Sequence, residues 1–406
     1  MMSKQLYSVL LFIFLVCVSC NNNRREAVVT PWGDAVADTA NASDNLLSVD
    51  DIVDNGEIIV LTMSGPETYF DYHGRGMGTQ YLLCEKFAQQ LGVSVRVEIC
   101  KDTVEMIDRL NKGEADIIAY MLPKQKKYES QVLFCGVNDK SSNCQWAVAL
   151  GNKQLAAKLD EWYKPGMVAQ VKREENFLFS TRSVSRHVYA PFLDRSRGVI
   201  SKYDDLFRRY AMLARWDWKM LAAQCYQESC FDPKARSWAG ACGLMQIMPS
   251  TADHLGLSRS ELFNPERNIE AAVRYIAELE LKFREVSSLA ERRNFVLASY
   301  NGGANHIKDA MALARKNGGN PCRWGDVAHF VLMLQQPQYY NDPVVKYGYM
   351  RGSETVDYVD RIRQRHAQYR GVKYSGPSVS GSGDLPSFSP NGMSPRRATK
   401  RYRYHI

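Results

Sequence analysis

Glu228 closes an apolar run in which Leu221, Cys225 and Glu228 stand at i, i+4 and i+7 of the helix predicted over 218–229. That spacing puts the carboxyl on the stripe facing a core. Burial disfavours a charged carboxylate, so an acid there has its pKa raised and stays protonated near neutrality, as a general acid must. Beyond it lie Ser237 and the run Gly240-Ala241-Cys242-Gly243-Leu244-Met245-Gln246-Ile247-Met248, whose small residues leave backbone donors facing the acid. Further along come Ser299-Tyr300-Asn301-Gly302-Gly303 and Tyr358. These residue types suit acid–base chemistry by one carboxyl.

Helices must hold these groups. From Lys202 on the periodicity is helical throughout: 203–214, then 218–229 capped by Asp217, then a strongly amphipathic helix over 268–284 with Ile269, Ala272, Val273, Ile276, Leu279 and Phe283 on one stripe. Helices over 291–300 and 304–315 follow, and a last one begins near Ser353. The region before it reads differently. Residues 57–62 are β-rich, 81–91 are helical, 93–99 alternate as a strand, 103–110 are helical, and 115–119 read as a buried strand. This β-α-β-α-β order predicts a parallel sheet flanked by helices.

The chain of 406 residues has room for two domains and tails. Its net charge of +8 is concentrated at the end, where Lys373, Arg396, Arg397, Lys400, Arg401 and Arg403 stand against Asp384 in a Ser/Pro/Gly-rich stretch. That stretch, 372–406, reads as a disordered basic tail. No motif points to nucleic acid. At the other end Lys4 precedes an apolar run too short for a membrane span, which closes on Val18-Ser19-Cys20. Cysteines 84, 100, 135, 144, 225, 230, 242 and 322 form no C-x-x-C pair and no His-Cys cluster, which disfavours zinc. Buried free thiols are favoured over any named disulfide pair.

The blocks around Glu228-Ser229, Gly243-Leu244-Met245-Gln246, Tyr300-Asn301 and Tyr358 resemble the soluble-lytic-transglycosylase (goose-lysozyme-like) family of peptidoglycan-cleaving enzymes. The resemblance implies that Glu228 is the catalytic acid and base and that Ser237 orients it. It implies that the Tyr300 hydroxyl approaches the carboxyl, and that Met245, Gln246, Met248, Asn301 and Tyr358 contact the sugar. Asp232 falls where that family has a variable polar residue before proline, so it reads as a turn residue. Trp324-Gly325-Asp326-Val327 and Tyr347-Gly348-Tyr349-Met350-Arg351-Gly352 narrow the match to a membrane-bound branch with a solute-binding-type domain ahead of the catalytic one.

Residues 49–179 resemble the first lobe of amino-acid-binding periplasmic proteins, through Phe87-Ala88, Leu91-Gly92 and Gly113-Glu114-Ala115-Asp116. Gln145-Trp146-Ala147-Val148 already looks like the terminal segment, so the second lobe is missing, and Lys124, Lys126 and Lys127 stand where a carboxylate-gripping Arg is usual. The expectation is a ligand-free scaffold.

The fold expected is therefore an α/β single-lobe solute-binding-like domain followed by an all-α lysozyme-like catalytic domain. The expected divisions are a signal peptide 1–19, a tether 20–48, the first domain 49–179, a linker 180–201, the catalytic domain 202–371 and the tail. Cys20 resembles a lipidation site, which implies anchoring to a membrane, with the periplasmic face of the outer membrane expected. The expected partner is the peptidoglycan strand, with no cofactor and no metal. A hydrolytic muramidase of the same fold and a non-catalytic peptidoglycan-binding lipoprotein remain as alternatives.

Overall fold

The computed structural model describes residues 46–180 and 183–372. Cys20 and the basic tail lie outside the described residues. The described chain divides into two compact units: an α/β unit of residues 46–184 with 335–350, and a helical unit of 185–334 with 351–372.

In the α/β unit, α1 (Val49–Asn55) opens with a capping box: the Ser48 side chain accepts the Asp51 amide, and the Asp51 carboxylate accepts the Ser48 amide. It leads into β1 (Glu57–Thr62), a β2–β3 hairpin (Phe70–Tyr72, Arg75–Met77), α2 (Thr79–Leu91), β4 (Ser94–Ile99), α3 (Thr103–Asn111) and β5 (Ile117–Pro123). After these come β6 (Val132–Asp139), β7 (Cys144–Ala149), α4 (Lys153–Trp162) and α5 (Met167–Leu178). The five-stranded sheet has the order β4-β1-β5-β7-β6. Its first three strands are parallel, as the β-α-β-α-β pattern requires, while β7 runs antiparallel to both β5 and β6. The expected terminal segment is β7, and α4 follows it. Trp146 is fully buried and donates its indole N–H to Gln80 Oε1 at 2.6 Å.

Residues 335–350, expected within the catalytic domain, pack with the α/β unit instead. The Tyr349 amide donates to Ser64 Oγ at 2.8 Å, and the Tyr349 ring packs edge-on to Phe70. These contacts are non-local, which is why periodicity did not reveal them.

The helical unit contains α6 (Asp204–Ala214), α7 (Trp218–Ser229), a short helix Pro249–Leu255, α8 (Pro265–Lys282), α9 (Leu289–Gly302), α10 (Ala304–Lys316), α11 (Trp324–Met333) and α12 (Gly352–Arg370). Its apolar stripes meet in one core, with Leu221, Ile276, Leu279, Phe283, Phe295 and Val359 fully buried. Burying each such side chain contributes about 1.5–3 kcal/mol. α7 lies against α6 and α12, and α9 against α8, α10 and α12. Gly352 allows the last helix to start close to α11, because a Cβ there would lie 1.8 Å from the Val331 carbonyl oxygen. The helix read as 268–284 begins earlier, at Pro265, because the Asn264 side chain caps it by accepting the Glu266 and Arg267 amides.

Candidate active site

α7 brings Glu228 to its last turn, beside buried Leu221 and Cys225, as the spacing predicts; Glu228 itself is half-buried. Its Oε1 accepts a 2.5 Å hydrogen bond from the Tyr358 hydroxyl of α12. Tyr358 is buried, and that burial, followed by the nearby Glu228 charge, pushes its phenol far above the usual range, so it remains a neutral donor. The Tyr300 hydroxyl, expected to approach the carboxyl, donates to the Met245 carbonyl at 2.8 Å. It still senses Glu228: burial first and that charge second push its phenol well up. Tyr358 reaches Glu228 because α12 runs antiparallel alongside α7, with Tyr358 at the last turn of α7 and His366 at Asp217, its N-cap.

Facing α7 is a small β-hairpin. Cys242 and Ile247 exchange backbone bonds at 3.0 Å, and the Gly243 amide reaches the Ala235 carbonyl at 2.9 Å. Gly243 has φ +79°, and a Cβ on it would sit 2.4 Å from the Leu262 carbonyl and 2.6 Å from Asn268 Nδ2, so both conformation and space demand glycine. Asn268, which sequence reasoning passed over, is the clamp of this hairpin. It is fully buried, accepts the Met245 amide at 2.8 Å and donates to the carbonyls of Cys242 and Leu262 at 3.0 and 2.8 Å. An amide at the start of a helix whose neighbour Ile269 is core was the available signal.

The expected sugar-contacting residues divide. Met248, Gln246 and Asn301 are half-exposed. Gln246 has φ +49° and ties its side-chain amide to the Gly243 and Ala235 carbonyls, so it supports the loop. Met245 is fully buried and acts through its backbone, which corrects the expectation of a side chain lining the cleft. Ser237 Oγ accepts the Ala241 amide at 3.0 Å inside the hairpin. Asn301 Oδ1 accepts the Thr355 hydroxyl at 2.7 Å.

The expected linker 180–201 is in part a strap of this unit. Ser185 pairs with Arg236 through two backbone bonds of 3.0 and 2.9 Å and so adds an edge to the hairpin. Arg186 donates to the Glu228 carbonyl at 3.2 Å, and the Tyr189 amide points at the Cys230 carbonyl at 3.4 Å. Carbonyls at a helix end lack internal partners, so a guanidinium there satisfies one and suits the helix dipole. Asp232 is indeed a turn residue: one carboxylate oxygen accepts the His187 amide at 2.7 Å and the other the Lys234 amide at 2.9 Å. It fixes a turn in which Cys230 and Phe231 both take left-handed backbone angles. The strap's hydrogen bonds come mostly from its backbone, which leaves little pattern in the side chains.

All eight described cysteines are free thiols. Among the described residues no group of His, Cys, Asp and Glu is arranged to hold a metal ion, and no helix is long and apolar enough to cross a membrane.

Residues 205–321 match the Transglycosylase SLT domain. The chain is similar to membrane-bound lytic murein transglycosylase F of Desulfosudis oleivorans, at 31% identity over 273 residues, 64% of this chain and 58% of the relative. It is also similar to the Citrobacter koseri protein of that name, at 28% identity over 84% of this chain and 85% of the relative. Among solved structures it resembles the 70 kDa soluble lytic transglycosylase SLT70 of Escherichia coli, at 29% identity and a TM-score of 0.29, covering 42% of this chain and 24% of that one. The chain thus spans between somewhat over half and most of the length of these curated relatives. The family resemblance carried by the blocks around Glu228, Met245 and Tyr300 is borne out.

Proposed function

We propose that this chain, with its SLT domain over 205–321, is a peptidoglycan lytic transglycosylase that serves cell-wall turnover or remodelling. It cleaves the β-1,4 bond between N-acetylmuramic acid and N-acetylglucosamine and leaves 1,6-anhydromuramic ends. The observation that carries this reading is a single carboxyl held on one oxygen by Tyr358. The neighbouring carboxylate, Asp232, has both oxygens taken by backbone amides.

Glu228 gives its proton to the glycosidic oxygen as the bond from that oxygen to muramoyl C1 breaks. The carboxylate left behind takes the proton from the muramoyl C6 hydroxyl, whose oxygen bonds to C1 and closes the ring. The proton returns to Glu228, and no water is consumed. Tyr358 holds Oε1 throughout and steadies the charged form between the two transfers. Tyr300 and Ser237 hold the hairpin that faces the acid, and Met248, Gln246 and Asn301 border the glycan, with Met245 behind them. No step calls for a metal or cofactor.

The same reading puts the protein in the cell envelope, anchored by lipid on Cys20 to the periplasmic face of the outer membrane. Digestion of purified sacculi, with mass analysis of the released ends, tests the reaction. Anhydro ends are expected. Predominantly reducing ends would make the protein a hydrolytic muramidase, and binding without release would make it a peptidoglycan-binding lipoprotein. For the anchor, Cys20→Ala is expected to leave an unprocessed precursor without acyl label; unchanged processing and labelling would refute it.

A further inference from the structure

In the α/β unit β1 and β5 lie side by side and parallel, with Val60 opposite Ile117 and Leu61 opposite Ile118. From the end of β1 the chain passes through α2 to β4 on one side, and from the end of β5 it passes to β6 and β7 on the other. Connections that part in this way leave a crevice outside the carboxyl ends of the two strands, where open α/β sheets take their ligands. At this level the Thr62 hydroxyl donates to the Ala119 carbonyl at 3.0 Å. Ser64 and Gly65 follow on the β1 side and Tyr120 on the β5 side.

Residues 335–350 reach the same place from far along the chain. They leave the helical unit after Leu334 and re-enter it at Arg351. A single helical turn, Pro337–Tyr340, brings the Tyr340 hydroxyl to Gly65, where an added Cβ would lie 3.5 Å from it. Burial first, and Tyr120 beside it second, raise the Tyr340 phenol above its ordinary pKa. The Tyr340 and Tyr349 rings pack edge-on at 5.7 Å, and Tyr349 packs on Phe70 at 5.0 Å. The Tyr349 amide donates to Ser64 Oγ at 2.8 Å. Gly348 has φ +75°, and a Cβ on it would lie 2.1 Å from Ser64 Oγ, so this close approach of main chain to Ser64 requires glycine.

We infer that the crevice at the carboxyl ends of β1 and β5 is a peptide-binding site whose ligand is residues 335–350 of the same chain. The segment presents what a bound peptide presents: aromatic anchors, a backbone amide on a side-chain acceptor, and a glycine that lets the backbone come close. Tethering raises its effective concentration to about millimolar, so an intrinsic Kd of about 10–100 µM keeps the crevice at least about nine-tenths filled. A free solute would have to displace it, which gives the expected ligand-free scaffold a physical reason. In the helical unit α12 starts against α11 at Gly352 and Val331, so the two ends of the excursion lie near each other and a short link can replace it.

The test uses the full chain with residues 336–349 replaced by a short Gly/Ser link. Calorimetry with a synthetic peptide of residues 335–350 should give a Kd of about 10–100 µM for this variant and binding at least about tenfold weaker for the wild type. Hydrogen exchange at the amides of 62–65 and 119–121 should be at least about tenfold faster after excision and slow again with peptide. The Met245 amide, held by Asn268 in the helical unit, should keep its protection throughout. A peptide carrying Tyr340→Ala and Tyr349→Ala should not bind. Where excision unfolds the α/β unit, the same two substitutions in the intact chain weaken only the tethered competitor, and the wild-type peptide should bind that chain better than it binds the wild type. A folded variant of either kind that takes no peptide overturns the inference, as does a wild-type chain that takes it equally well. Unfolding of both variants also overturns it, by making the segment part of the core of the unit.

Discussion

The two units bury polar side chains to different ends. In the α/β unit several are paired off one by one. Thr62 donates to the Ala119 carbonyl, Asp116 accepts the Ile59 amide, Gln80 receives the Trp146 indole, and Asn152 joins the Leu155 amide to the Leu47 carbonyl. These bonds pin strands and caps, and no two of them converge. In the helical unit the buried polar groups converge: Gln224 on Tyr358, Tyr358 on Glu228, Tyr300 and Asn268 on the Met245 backbone. A scattered set of satisfied bonds keeps a frame in register. A convergent set at a half-buried carboxyl holds that carboxyl in place, at a cost in desolvation that a frame has no reason to carry.

The contrast is sharpest at the acid. Glu228→Gln keeps shape and removes the proton, so muropeptide release should fall by at least about 10²–10⁴-fold with a near-normal thermal midpoint. A variant that still releases glycan would dissolve the distinction between the units. Asn268→Ala should lower stability by about 3 kcal/mol or more, because it strands the Met245 amide and the Cys242 and Leu262 carbonyls. Activity should fall with it, as judged by denaturant midpoint and release rate together. Gln80→Met in the α/β unit strands only the Trp146 indole and should cost about 1–3 kcal/mol with release unchanged at temperatures where the protein is folded.

His306 offers a pH test confined to the helical unit. Burial lowers its pKa to about 4 from an ordinary 6.5. The folded state therefore binds the proton less readily than the unfolded state. Its contribution is fully present above pH 6.5 and is lost as pH falls through the window down to about 4, to a total of roughly 3 kcal/mol. His306→Leu should flatten the acid side of the stability profile measured by urea titration; an unchanged slope would show that other groups dominate. The smallest effect expected is none: amino acids and muropeptide stems should leave the release rate unchanged, since a ligand shifts activity only by differential affinity for two states. Micromolar binding to the full chain with altered cleavage would make the α/β unit a sensor and end its description as a frame.

Local periodicity determined much of this protein. The helix of Glu228, the amphipathic stripe of α8, the alternating β4 and the β-α-β-α-β order were legible because each is written in residues close together in the chain. Glu228 and Tyr358 were singled out from their motifs, and Asp232 was read as a turn residue, where its two oxygens accept the His187 and Lys234 amides. Tertiary structure alone decided which phenol donates to Glu228 and which to the Met245 carbonyl, because Tyr300 and Tyr358 both lie far from Glu228 in sequence and the antiparallel packing of α12 along α7 sets Tyr358 against the carboxyl. It also decided that Met245 is buried, that Asn268 clamps the hairpin, that 185–189 is a strap, and that 335–350 packs with the α/β unit. These choices rest on backbone amides and carbonyls, which every residue carries alike, and on contacts between distant segments. Side-chain pattern records what a residue prefers, whereas the partner it finds depends on which chain segment the packed core brings within about 3 Å.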